Sequence, residues 1–432
     1  MNLNIPEHSN QVKHKPDMTW QLRCLILFIA VAIVISRRPD VVFNAQFYAE
    51  DGRVWYADAY NLGAIPSLFL PYAGYLTTIQ RLGAAVSQIF PFFWAPLVFN
   101  LIAIIIQILP VLLITSSRFS IVIPNRHTQL FLAFLYLAVP NTTEIHANLS
   151  NTQWHLAILA YLVVAAAPSI DLVWRCFDLG VILLLAVSGP FCLFLAPLTA
   201  IHWWLRRERW LLFLLSGLVI GIVLQGRTIA MSSHSTLERV PIPLGTALEL
   251  LTKILAGQVF LGALVGKTGY AGIAPSYLWN SLLFLPMAIA GILALCYALL
   301  KSPLELRLLI VFGMLNLSTA LAVQVIRAAD PLPIWEAMKS PTIGQRYYFL
   351  PMIAFLTTIV WLMSRQNPRQ LRLAATIALA SLFIGITLDW RHPAFSDLNF
   401  PDYANKLAIS PTGAKVIIPI NPPGWSMELI KH

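Results

Sequence analysis

Long, nearly uncharged apolar runs recur between residues 20 and 388, and no other feature restricts the fold as strongly. About 20 apolar residues let a helix cross ~30 Å of hydrocarbon, and in that solvent only helices or closed barrels satisfy every backbone N–H and C=O. Charged residues make up 11% of the 432 residues and apolar ones 58%, whereas soluble domains carry about 25% charged. The chain is therefore expected to be an all-α polytopic membrane protein, which excludes a soluble enzyme. The net charge of +10, from 29 Lys and Arg against 19 Asp and Glu, suits loops beside anionic lipid. It gives no reason to expect nucleic acid.

Cys24, Cys176, Cys192 and Cys296 lie in or beside apolar runs without paired spacing, so neither a disulfide frame nor a zinc site is expected. The first twenty residues lack the basic segment, apolar core and small-residue cleavage site of a removable signal. The first apolar run is expected to remain as an anchor.

Helices are expected at 20–36, 93–115, 127–140, 153–168, 177–188, 190–204, 210–225, 279–300, 304–325, 346–363 and 371–388, about eleven spans. The stretch Tyr75 to Phe90, interrupted by Gln80, Arg81, Ser87 and Gln88, reads as an amphipathic helix on the surface. The stretch 245–265 has the same mixed character and the same expectation. Lys and Arg collect in alternate short loops, at Arg118, Arg126, Arg175, Arg206, Arg207, Arg209, Lys301, Arg307, Arg365, Arg369 and Arg372, which places those loops in the cytoplasm. Arg37 and Arg38, just beyond the first span on the outer side, go against that pattern. The division expected is a cytoplasmic tail (1–19), a membrane domain (20–388) with outer loops 37–92, 141–152, 226–278 and 326–345, and an outer C-terminal segment (389–432).

The outer loops hold the residues able to do chemistry. Glu50 and Asp51 are adjacent carboxylates flanked by Tyr48, Trp55 and Tyr56, with Tyr72 and Tyr75 further on. Rings stack on the apolar faces of sugars, and a carboxylate can take a proton from an attacking hydroxyl. A solvated turn with a capping Asp accounts for the same pair. In the loop 141–155, Glu144, His146, Asn148, Asn151, Gln153, Trp154 and His155 crowd together. Either Asn151 caps a helix and His155 is a satisfied core histidine, or the group lines a sugar pocket. The two histidines are not at the i, i+4 spacing of a metal pair. Ser188-Gly189-Pro190 breaks one apolar stretch into two with an outer turn. Arg346, at the mouth of the tenth span beside Tyr347 and Tyr348, can grip a lipid phosphate with paired donors or anchor at the interface. Arg227 and Arg239 add positive charge. In the tail, Lys415 to Ile420 is expected to be a strand, Asn421 to Gly424 a turn and Trp425 an aromatic available for packing or stacking. The sequons at Asn141 and Asn148 carry little weight.

At Ala49-Glu50-Asp51-Gly52 and Pro71-Tyr72-Ala73-Gly74-Tyr75 the chain resembles bacterial multi-spanning proteins of the GT-C glycosyltransferase type. The likeness extends over His146–His155, Ser188–Pro190, Gln345–Tyr348 and Asn421–Trp425. The resemblance implies an inverting transferase of the bacterial cytoplasmic membrane, acting on its outer face. Its donor would be a polyprenyl-phosphate-linked sugar and its acceptor a glycan or lipid. Asp51 or Glu50 would be the base, and Arg346 and Arg227 would bind the donor phosphate. Tyr48, Trp55, Tyr72, Tyr75, His146, Asn151, Trp154, His155 and Tyr347 would line the sugar and acceptor pocket. No cofactor is implied; the lipid phosphate leaves readily, so a divalent metal is not required. Many relatives carry a larger C-terminal soluble domain than the forty or so residues that follow the last span here. The alternatives are a transporter or flippase for a lipid-linked glycan, which could use the same outer arginines for phosphate, and a glycan ligase or polymerase, which differs only in the size of its donor.

Overall fold

A computed structural model of the chain describes residues 18–232, 243–323 and 332–432. Arg239 and most of the N-terminal tail lie outside the described residues. All eleven expected spans are helices: α1 (Trp20–Arg37), α2 (Ala95–Ile114), α3 (Arg126–Ala138), α4 (Thr152–Ala165), α5 (Leu172–Ala186), α6 (Phe191–Arg206), α7 (Arg209–Ser232), α8 (Phe284–Lys301), α9 (Leu304–Ala322), α10 (Gln345–Leu362) and α11 (Arg369–Leu388). Several begin at short polar side chains that accept from free first-turn N–H groups. Thr19 takes Leu22 N, Asn125 takes His127 N and Thr128 N, and Asp171 takes Val173 N.

Seven helical segments among the described residues are long and apolar enough to cross a membrane: Trp20–Arg37, Phe92–Ile114, Arg209–Met231, Leu248–Ile273, Trp279–Lys301, Leu304–Ala322 and Arg369–Leu388. Helices α3 to α6 are shorter, at 13, 14, 15 and 16 residues, which is ~20–24 Å of rise. Helix α4 shows why length is no obstacle there. Every residue from Thr152 to Ala165 is buried, so protein rather than lipid surrounds it.

The helices run alternately between two ends. At one end Arg118, just after α2, forks onto Asp178 of α5 at 2.7 and 2.8 Å and donates to Ala167 O after α4. There too Arg206, closing α6, pairs with Glu305 of α9. At the other end Arg37, closing α1, donates to Leu137 O (2.6 Å) and Val139 O (3.0 Å) at the end of α3 and to Asp389 O at the end of α11. Arg38 reaches toward His146 O and Thr143 O and lies over the Phe395 ring. The two arginines that break the loop-charge pattern are thus buried staples on the partly negative carbonyl ends of neighbouring helices.

Two expectations for mixed segments meet different outcomes. Thr78–Ser87 is an amphipathic helix, but its polar side faces inward: Gln80, Arg81 and Ser87 are buried while Leu82, Val86 and Ile89 are exposed. An apolar outer face suits lipid contact. The expected surface helix at 245–265 is corrected. Residues 254–260 are buried without interruption, Phe260 packs on Phe355 of α10, and Gln258 donates to Met338 O. The segment is packed inside the bundle and bends at Gly266, whose φ is +75°. Asp389 Oδ1 receives Thr268 N beyond that bend, and Lys267 N also donates to this carboxylate.

The C-terminal segment contains a helix, Phe400–Ile409, and an antiparallel hairpin of β1 (Lys415–Ile420) and β2 (Trp425–Ile430), paired from Lys415–Ile430 to Ile420–Trp425. The strand expected at 415–420 is present. Val416, Ile418, Ile420, Met427 and Leu429 form one apolar cluster with Phe47, Trp55, Tyr56 and Phe99. The hairpin therefore buttresses the loop that carries Glu50 and Asp51.

Candidate functional site

The Glu50-Asp51 turn is gripped from both sides. Asn421 N donates to Phe47 O and Ala49 N donates to Asn421 O, so the end of β1 adds a rung to residues 47–49. Ala49 takes φ +47°, and a Cβ on Gly52 would lie 3.1–3.2 Å from Phe47 and Ile420. From Asp51 to Tyr56 the chain makes a wide turn closed by Ala57 N to Gly52 O, a geometry often found at functional positions.

That turn separates the two carboxylates. Asp51 is 1% exposed and accepts from Ser150 Oγ (2.7 Å) and Leu149 N (3.1 Å). Burial pushes its carboxyl up to about 7 against the opposing pull of those hydrogen bonds. Glu50 is only half-buried and receives the Tyr72 hydroxyl at 3.4 Å. The sequence left the choice between the two open. In the fold, Asp51 ties down the 149–150 backbone and Glu50 faces the open side.

The string Pro71–Tyr75 explains itself locally. Ala73 (φ +51°) and Gly74 (φ +91°) form a two-residue turn closed by Tyr72 N to Tyr75 O (2.9 Å) and Tyr75 N to Tyr72 O (3.1 Å). Positive φ at both central positions is the geometry that favours glycine. Residues paired in this way point to one face of the ribbon, so Tyr72 and Tyr75 stand together beside Glu50.

Opposite them the start of α10 meets the loop after α3. Glu144 accepts Arg346 N (3.0 Å) and forms an ion pair with the Arg346 guanidinium, which also donates to Tyr347 Oη (3.1 Å). Gln345 holds the loop by receiving Glu144 N and donating to Asn141 Oδ1. Tyr48 stacks on Phe395 at 5.2 Å. Burial, with the Glu144 carboxylate next, raises its phenol above the usual range; Arg38 and Arg346 oppose the rise and Glu50 adds to it. Tyr75 is raised by burial and then by Tyr347, with Arg346, Gln153 and Glu50 also acting on it. Tyr48, Glu50, Tyr72, Tyr75, Glu144 and Arg346 thus form one half-exposed cluster.

Other expected site residues are packed away. His146 bonds Val34 O through Nε2 (2.9 Å) and Gln107 through Nδ1 (3.3 Å), and burial holds its pKa well below the usual value. His155 lies between Tyr136 Oη and Ile145 O. Asn151 stands before α4 without capping it; its amide serves Glu144 O and Asn148 Oδ1. Trp55 is buried beneath Arg81, whose guanidinium lies 5.1 Å from its ring. Trp154 and Tyr347 are buried edge to face at 5.8 Å. Arg227 is exposed on α7, and among the described residues no polar contact joins it to the cluster. The pairing of Glu144 with Arg346 was beyond sequence reasoning, since 202 positions separate them. Among the described residues no three His, Cys, Asp or Glu side chains group as metal ligands.

No protein-family model matches the chain, and no curated protein does. Among solved structures it is similar to the Archaeoglobus fulgidus oligosaccharyltransferase tethered to an acceptor peptide containing the NVT sequon. Sequence identity is 16% and the TM-score 0.42, over 91% of this chain and 58% of that one. The chain thus spans less than two thirds of that protein's length.

Proposed function

We propose that the chain is a membrane glycosyltransferase that moves a sugar from a polyprenyl-phosphate carrier to a glycan or lipid acceptor at the Glu50 face. The observation that carries the proposal is the pairing of a half-exposed carboxylate, Glu50, with the Tyr48, Tyr72 and Tyr75 rings and the Glu144–Arg346 pair across from them. Tyrosine rings offer stacking faces for a sugar. Glu50 takes the proton of the acceptor hydroxyl as its oxygen attacks the anomeric carbon. The bond from that carbon to the carrier phosphate breaks as the new one forms, which inverts the centre. Arg346, held in place by Glu144, donates to the leaving phosphate as its charge grows. Asp51 positions the turn and takes no proton from the substrate.

The test is transfer from a polyprenyl-phosphate sugar in vesicles. Glu50→Gln is expected to lower the rate by about 10²–10⁴-fold, the usual worth of a general base, with donor binding kept. Full transfer by Glu50→Gln sinks the assignment of the base. Absence of transfer by the parental protein with every polyprenyl-phosphate sugar, alongside movement of a lipid-linked glycan between leaflets, would favour the flippase reading.

A further inference from the structure

The end of the bundle opposite Glu50 holds an apolar cavity of about 910 Å³, near the top of the ~300–1,000 Å³ range of ordinary ligand sites. Phe131 of α3, Tyr161 of α4, Leu309 of α9, Leu356 and Trp361 of α10 and Leu379 of α11 are among its walls. Glu305 is the carboxylate at its wall, and Arg206 pairs with it. A second hollow of about 330 Å³ is lined by Arg369, Arg372 and Leu373 together with Met363 and Thr376, the last two shared with the large cavity. Arg372 Nε is buried there with no partner among the described residues. A hydrocarbon-lined space thus adjoins a doubly cationic hollow.

We infer that this is a binding site for an anionic glycerophospholipid. Its acyl chains fill the apolar cavity and its phosphate lies between Arg369 and Arg372. The apolar wall offers the acyl chains van der Waals contact without needing polar partners, and the guanidinium groups supply charge-assisted donors to phosphate. The hollow lies at the end of the bundle that holds the Arg118–Asp178 and Arg206–Glu305 pairs, whereas Glu50 and Arg346 lie at the opposite end. The lipid therefore belongs to the other leaflet and is not the substrate of the outer site. The inference stands independently of the proposed transfer activity.

Native mass spectrometry of the full chain in detergent, titrated with phosphatidylglycerol, phosphatidylcholine, a polyprenyl phosphate or inorganic phosphate, tests it. Phosphatidylglycerol is expected to bind best, and the Arg369→Gln/Arg372→Gln double variant to weaken it by about tenfold or more. Equal retention of phosphatidylcholine, or unchanged binding by the double variant, overturns the inference. So does tighter binding of polyprenyl phosphate, or of inorganic phosphate alone. Phosphatidylglycerol brominated on its acyl chains provides a second readout that needs no disruptive substitution. It should quench Trp361, seen as fluorescence quenching that is smaller in Trp361→Phe; identical quenching in both proteins places the chains elsewhere and overturns the inference.

Discussion

At the residue scale, the Glu50-Asp51 pair shows how adjacent carboxylates acquire different surroundings from one turn of backbone. Asp51 serves the structure through Leu149 N and Ser150 Oγ, and its burial has a consequence for stability. A carboxyl has an ordinary pKa of ~3.9 in an unfolded chain, and Asp51 titrates at about 7 when folded. Between those values the folded state binds more protons than the unfolded one, so ΔG of unfolding falls as pH rises. The stabilisation from protonated Asp51 is complete below pH ~4 and is lost as pH passes through 7. Asp51→Asn, which keeps an acceptor and cannot ionise, should flatten that part of a thermal-stability profile between pH 5 and 8. Asp51→Ala leaves Leu149 N and the Ser150 hydroxyl without their acceptor and should cost about 1–3 kcal/mol. An unchanged pH profile in Asp51→Asn would show that Asp51 is already ionised at pH 5. Gly74 is the second residue with a local demand. A valine at φ +91° is strained by ~1–2 kcal/mol, so Gly74→Val should lower the melting temperature and weaken donor binding by displacing Tyr72 and Tyr75. Parental binding affinity in a folded Gly74→Val protein would remove those rings from the site.

At the scale of elements, helix ends rather than helix middles carry the specific chemistry. Arg37 joins the carbonyl ends of α3 and α11 to the end of α1, and Asp389 joins α11 to the bend at Gly266 and to Asn141 N. Both lie on the side where Glu144 receives Arg346. Removing one member of a buried charged network usually costs ~3–5 kcal/mol. Arg37→Met should therefore lower thermal stability in detergent strongly. Arg37→Lys retains the charge without the planar fork and should fall between the two. A melting temperature for Arg37→Met within a degree of the parent would show that these helix ends are held by packing alone. The inward-facing polar side of Thr78–Ser87 follows from the same setting. Arg81 pairs with Asp58 at 3.0 Å and Gln80 donates to Ser150 O, while Leu82, Val86 and Ile89 remain outside.

At the scale of the whole molecule, helices of alternating direction bring every element of the candidate site to one end and most of the basic loops to the other. The loop-charge rule assigns the basic end to the cytoplasm. Lys301→Cys and Arg365→Cys, both at exposed positions of that end, should resist an impermeant thiol reagent in intact cells, and Ser426→Cys in β2 should react. Labelling of the first two from outside reverses the orientation and puts the Glu50 face in the cytoplasm.

The sequence by itself determined the membrane class, the positions of the eleven helices and the strand at 415–420. Those depend on local hydropathy and propensity, which each segment carries without its neighbours. The same local content misassigned 245–265, because a mixed composition is shared by a helix on a surface and one packed among other helices. Tertiary structure alone decided that Glu50 faces outward and Asp51 inward, since the turn is set by Asn421, some 370 residues away. It also decided that His146 and His155 are core residues, that Arg37 and Arg38 are staples, and that Glu144 holds Arg346. Each of these depends on which carbonyl or carboxylate the fold places opposite a charged or polar side chain, and burial makes that partner obligatory without naming it in the sequence.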